Sequence, residues 1–295
     1  MIDVLIGVIL ALIMFGIGLS LRPAHFRALA RHPRVVFLGL FLQLCLLPLT
    51  AFAVATLLRL PPEFAAGVVI LSACPGGLTS NFVSYLLKAD TALAVSLTIC
   101  NTSLSLITIP LIVNLGLRTF NSGGTVDHLP VLPTAATIFL VVLVPVLLGM
   151  FYRSKREQGG QRLQQNLRWI SVVLLAVLFA LKLFAPADVG GSELSLRDVQ
   201  IILPASVLIN IMALLSGRIF GKWFGFGRNA QLTLGVEAGI QNTSLAFMIT
   251  STLLMNEEML KPALVYAMFT FFTALAYGTL LKPGAWRNLL KSRPE

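Results

Sequence analysis

Between residues 235 and 247 the chain reads GVEAGIQNTSLAF, which places a carboxylate, Glu237, and two amides, Gln241 and Asn242, within six residues of each other inside a long apolar stretch. An acidic side chain at the centre of a membrane helix costs about 2.5 to 3.5 kcal/mol on insertion scales, so such a residue usually faces a cavity, a partner or an ion. Of the twelve acidic residues in the chain, Glu237 alone sits well inside an apolar stretch. No lysine or arginine lies at matching depth in another stretch, so an ion pair is not expected. Two readings follow: a protonated carboxyl bonded to neighbouring helices, and a bound cation. The cation is the sharper expectation.

A second interruption is SACPGGLTSNFVSYLL, residues 72–87. Pro75 removes a backbone donor and its ring clashes with the preceding turn, while Gly76 and Gly77 add freedom, so a helix should unwind here. Unpaired backbone at membrane depth survives only where it is buried in protein or lines a cavity. The half-helix that restarts at Leu78, Thr79, Ser80 and Asn81 offers free N–H groups to an anion, and its side-chain oxygens suit a cation.

Positioning these groups requires a membrane bundle. The chain has 295 residues, of which 57% are hydrophobic and only 12% charged, far from the composition of soluble domains. A helical span needs roughly 20 mostly apolar residues. Nine such stretches run approximately 2–20, 34–58, 62–87, 90–117, 129–152, 166–185, 199–223, 229–255 and 259–281. None shows the alternation of a β-barrel strand. The fold class expected is therefore an all-α integral membrane protein. The first stretch is too long for a signal-peptide core and has no basic residue before it, so it reads as a retained helix.

Seventeen of the 22 lysines and arginines fall in odd-numbered connections or the C-terminal tail. The positive-inside rule then predicts nine crossings, an outside N-terminus and a cytoplasmic C-terminus. The net charge of +10 thus reads as topology, and no nucleic-acid partner is expected. Cys45, Cys74 and Cys100 lack metal-type spacing and read as small core residues. His25, His32 and His128 lie in connections, so none serves as an intramembrane proton relay.

The two interrupted spans, third and eighth, are five apart, and that odd offset gives them opposite orientations. Such is the pattern of an inverted repeat whose broken helices meet near the midplane.

The stretches IMFGIGLSLRPAHF, HPRVVFLGLFLQ, CPGGLTSNFVSYLLKADTALAVSLT and EAGIQNTSLA resemble the bile acid:sodium symporter family over nearly the whole chain. Bacterial members commonly have ten helices, so the first of these is expected to be missing here. The resemblance implies one transporter domain over residues 1–295, with a panel (approximately 2–20 and 129–185) against a core (approximately 34–117 and 199–281). It also implies two sodium sites. The first resembles Ser80, Asn81, Thr98 and Glu237, with Ala94 where a serine hydroxyl would stand, which weakens that site. The second resembles Gln43, Glu237 and Gln241, with the backbone carbonyls of Ala238 and Ile240. The carboxylate is then shared, and the amides complete an oxygen shell.

For the substrate, the N-terminal turns around Thr79 and Asn242 suit a carboxylate or sulfonate. A histidine-asparagine pair near the ligand in bile-acid-binding relatives is matched by Phe269 and Thr270, and Leu78 replaces a small hydroxyl residue. These departures favour a smaller organic acid, although Phe269 could equally line a sterol pocket. The expected function is import of an organic anion coupled to sodium across a bacterial inner membrane, with membrane lipid as surroundings and a monomer as the expected state. The alternative is a proton-coupled or uncoupled transporter of the same architecture, which would call for a second intramembrane carboxylate or a lysine. An enzyme is not expected, because no base accompanies a nucleophile within the spans.

Overall fold

A computed structural model describes residues 2–21, 33–120, 128–186 and 190–283, without the side chains of residues 2–4, Leu78 and Arg168. His25 and His32 lie outside the described residues, as do the charged residues Arg22, Arg27, Arg31, Asp127, Asp188, Arg287, Lys291, Arg293 and Glu295.

Every apolar stretch becomes helix. In chain order these are α1 (Ile2–Ser20), α2 (Pro33–Leu57), α3 (Pro62–Ala73), α4 (Leu78–Leu86), α5 (Thr91–Phe120), α6 (Val131–Lys155) and α7 (Glu157–Phe184). They continue with α8 (Leu196–Trp223), α9 (Arg228–Gly239), α10 (243–253) and α11 (Lys261–Leu281). Six of them, α2, α5, α6, α7, α8 and α11, are each long and apolar enough to cross a membrane. The protein is an all-α multi-pass membrane protein, and the described residues contain no strand.

The third and eighth stretches are not continuous rods. The first breaks between Ala73 and Leu78, the second between Gly239 and Thr243. One boundary differs clearly from expectation: α7 starts at Glu157 rather than near 166. Its first turns, EQGGQRLQQNLR, are polar but rich in good helix formers, so propensity extends the helix beyond its apolar part. Two π-turns, Leu42–Leu46 and Phe139–Leu143, stand just before Pro48 and Pro145. Each proline lacks an N–H and crowds the preceding turn, and widening to i→i+5 bonds accommodates it. Gln43 sits in the first of these turns.

Helix α1 lies against α6, α7 and α10, while α2, α3, α5, α8, α9 and α11 form a second group, packed on one another and meeting α6 through α5. Within the second group α8 lies tightly on α9, where a Cβ on Gly217 would stand 2.0 Å from the Gly235 backbone nitrogen. Only glycine permits that contact, and two turns along it brings Asn210 onto Gly239.

Two lysines, Lys182 and Lys261, are anchored by acidic residues. Lys182, fully buried, reaches Glu257 at 2.7 Å and the Gly190 carbonyl at 2.9 Å. Lys261, the first residue of α11, pairs with Asp198 at 3.0 Å and Glu258 at 2.6 Å. Of the three cysteines, only Cys74 is a buried core residue; Cys45 is exposed and Cys100 half-buried, because each looks outward from its helix.

Candidate functional site

The two helix breaks face each other. The Asn242 N–H points at the Cys74 carbonyl at 3.5 Å. A Cβ on Gly76 would come within 2.9 Å of both the Ile240 carbonyl and the Ser80 hydroxyl, and 3.3 Å of the Glu237 carbonyl. Glycine at position 76 is therefore what lets the segments touch. The backbone freed by each break is partly recaptured nearby. Gly77 O accepts from the Asn81 N–H at 3.2 Å, the Ser80 hydroxyl at 3.0 Å and Asn81 Nδ2 at 3.1 Å.

Around this contact the polar side chains form two hydrogen-bonded chains. In one, Asn81 Nδ2 donates to Thr98 Oγ1 at 3.1 Å, and Thr98 Oγ1 lies 3.1 Å from Glu237 Oε2. The same hydroxyl lies 3.0 Å from the Ala94 carbonyl. Having one proton, it can serve only one of those acceptors at a time. In the other chain Gln43 Nε2 donates to Gln241 Oε1 at 2.8 Å, and Gln241 Nε2 donates to the Ala238 carbonyl at 2.7 Å. The two chains end on neighbouring residues, the Glu237 carboxylate and the Ala238 carbonyl.

These chains leave oxygen over. Glu237 Oε1, Gln43 Oε1 and Asn81 Oδ1 are buried and unpaired in this network, the Ser80 hydroxyl beside Glu237 being donated to the Gly77 carbonyl. A buried acceptor without a donor costs about 1–3 kcal/mol, and three in one neighbourhood are explained economically by a cation. The donor set is one carboxylate with amide, hydroxyl and carbonyl oxygens. That composition suits a hard ion of low charge. No cluster of three His, Cys, Asp or Glu side chains occurs among the described residues.

Beside the breaks is a cavity of about 540 Å³, bounded by α1, α7, α4 and the start of α10. Its polar side carries Thr79, Asn81, Gln241, Asn242 and Thr243, and its apolar walls include Ile13, Ile17, Trp169 and Val172. From the breaks it reaches toward Ser20, Tyr85 and Gln164, at one end of the bundle. Asn242 caps α10, its Oδ1 accepting from the Leu245 N–H at 3.1 Å.

The Sodium Bile acid symporter family model matches residues 7–189. The chain belongs to that family. The protein is accordingly a transporter rather than an enzyme. It is 31% identical over 246 residues to an uncharacterized sodium-dependent transporter of Bacillus subtilis, covering 81% of this chain and 71% of the relative. It is 30% identical over 283 residues to the ileal sodium/bile acid cotransporter of Oryctolagus cuniculus, covering 92% of this chain and 77% of that one. A probable chloroplastic sodium/metabolite cotransporter of Arabidopsis thaliana is 31% identical over 242 residues, 82% of this chain, which spans only 58% of that relative's length.

Measured against the resemblance, Ser80, Asn81, Thr98, Glu237, Gln43, Gln241, Ala238 and Ile240 all gather at the two breaks. Ala94 lies one turn before Thr98 on the same face of α5. Thr79 and Asn242 line the cavity, and Leu78 begins α4. Phe269 and Thr270 do not line it; Phe269 packs on Tyr266 with ring centroids 5.6 Å apart. Helix α11 presents Phe271 to the cavity instead. The sequence reading also missed the walls from α1 and α7, since apolar residues within apolar spans carry no signal. Asn210 was missed too, although a lone amide in VLINIMALL had the same signature as Gln43.

Proposed function

We propose that the protein is a sodium-coupled symporter that imports an organic anion by alternating access. The surplus of buried acceptor oxygen where the two helix breaks meet carries this reading, and the sodium dependence in the names of the matched relatives supports it. One sodium ion is assigned to Ser80, Asn81, Thr98 and Glu237. The second is assigned to Gln43, Glu237 and Gln241 with the Ala238 and Ile240 carbonyls. The anion lies in the neighbouring cavity against Thr79 and Asn242, with its apolar body along Ile17 and Trp169.

The broken pairs α3/α4 and α9/α10 are the crossed elements of an inverted repeat. Helices α1, α6 and α7 form the panel and the others the core. The arginine-rich end toward which the cavity reaches is the cytoplasmic one, by the positive-inside rule, and the Lys182–Glu257 pair closes the opposite end. In a bacterial inner membrane this describes an inward-facing state, and one chain suffices for it.

The test is uptake into proteoliposomes, using cholate as a sterol acid and benzoate as a small one. Accumulation of at least one of them should require an inward sodium gradient. Equal uptake of both with potassium in place of sodium would sink the reading. A subsidiary expectation concerns Ala94, which cannot coordinate. Ala94→Ser should lower the sodium concentration for half-maximal uptake several-fold and raise the Hill coefficient toward two, as expected where a missing ligand is restored. Two equally tight sodium ions in the wild type by calorimetry, with no gain in the variant, would show that Ala94 leaves no gap.

A further inference from the structure

We propose that Asn210 and Tyr266 are positioning residues for the cation site. They act by holding the carbonyl of Gly239, the last residue of α9, away from the ion-facing side of the break. In an unbroken helix that carbonyl would accept the Thr243 N–H. Here the Thr243 N–H donates to the Gln241 carbonyl at 3.1 Å, which leaves Gly239 O an orphan at membrane depth. Two helices outside the break satisfy it. Asn210 Nδ2 of α8 donates at 2.7 Å and the Tyr266 hydroxyl of α11 at 2.8 Å, from side chains only 0% and 1% exposed.

The arrangement is directional. Asn210 Oδ1 lies 2.7 Å from the Thr273 hydroxyl, whose single proton it shares with the Thr270 carbonyl at 3.0 Å, and flipping the amide would set its oxygen against the Gly239 carbonyl. Asn210 Nδ2 also lies 3.2 Å from the Tyr266 oxygen, which joins the three side chains into one network. The next carbonyl, that of Ile240, points to Gly76 instead. Adjacent peptide planes are connected through only two soft torsions. Fixing the Gly239 carbonyl on the α8/α11 side therefore restricts the Ala238 and Ile240 carbonyls on either side of it. Asn210 and Tyr266 point donors, not acceptors, at this backbone, so they shape the shell without ligating the ion.

This inference rests on the reading that sodium binds at the break, and its test separates the two. Sodium chloride is titrated against choline chloride into the full-length protein in detergent, and the half-saturating sodium concentration is read from thermal stabilisation. Tyr266→Phe should raise that concentration by about two- to tenfold, the span expected for loss of one hydrogen bond. Thr273→Val, which frees the Asn210 amide to turn, should shift it in the same direction by less. Asn114→Ala serves as control: Asn114 ties the Leu129 N–H and carbonyl at 2.6 and 2.9 Å, away from the break. It should lower the melting temperature and leave the sodium midpoint unchanged. If Tyr266→Phe and Thr273→Val melt earlier but keep the wild-type sodium midpoint, their role is structural only and the inference is overturned. A wild type that shows no sodium response removes the ion reading itself, and this inference with it.

Discussion

Glu237→Gln should reduce sodium-driven accumulation by about 100-fold or more while the protein remains folded and inserted. Glutamine has the same shape, and its side-chain oxygen can still accept from Thr98, so the hydrogen bond seen at 3.1 Å survives. What disappears is the negative charge at the site, which no described lysine or arginine neutralises. Even at an effective dielectric of about 20, a carboxylate touching a monovalent cation contributes several kcal/mol, enough for a hundredfold loss. A second sign accompanies the first. Without sodium, the wild type holds a buried, unpaired carboxylate oxygen, which is costly. The neutral variant should therefore melt at or above the wild-type temperature in potassium buffer and gain nothing when sodium is added. Sodium should stabilise the wild type by mass action on the folded state. Melting curves in the two salts, with uptake in proteoliposomes, test both signs. Uptake by Glu237→Gln at the wild-type rate would place the coupling ion elsewhere.

Much of this was legible in the chain because membranes make sequence rules strict. A bilayer admits few charges, so Glu237 stood out, and apolar length set the rods of α2, α5 and α8 to within a few residues. Pro75, Gly76 and Gly77 announced the first break because each has a backbone consequence independent of context. The second break carried no proline, and Gly239 alone would not mark it; the polar cluster around it did. Other features depend on partners distant in sequence. Gln43 and Gln241 bond to each other across 198 positions, which composition does not reveal. The cavity walls, buried Ile13 and Ile17 with the exposed Trp169 and Val172, look like lipid-facing residues until the fold sets them round the cavity. On α11, Phe271 meets the cavity, whereas Phe269 and Thr270, the positions matched from relatives, lie two and one residues before it and face elsewhere.

Asn242→Asp and Asn242→Ser together test how the anion is seated, because they split the two jobs of one amide. Its oxygen caps α10 by accepting the Leu245 N–H, and its nitrogen lies beside Gly77, 3.6 Å from where a Cβ would stand, at the cavity wall. Serine and aspartate are both good helix caps, so neither variant should cost the helix its start, and any loss of anion binding belongs to the nitrogen. Asn242→Ser removes one donor and should weaken binding of the transported acid several-fold. Asn242→Asp replaces that donor by a carboxylate in a cavity lined by no described lysine or arginine, and repulsion between like charges should weaken binding by about 100-fold or more. The sodium response should go the other way: a second carboxylate beside Glu237 attracts cations, so Asn242→Asp should bind sodium more tightly than wild type when no acid is present. Coupling between the two ligands is reciprocal. Titrating sodium and the acid, each with and without the other, therefore measures the coupling from both sides. Acid affinity unchanged in Asn242→Asp would move the anion's seat away from the crossing of the broken helices. Tighter sodium with weaker acid in the same variant is the outcome that a general loss of folding cannot produce.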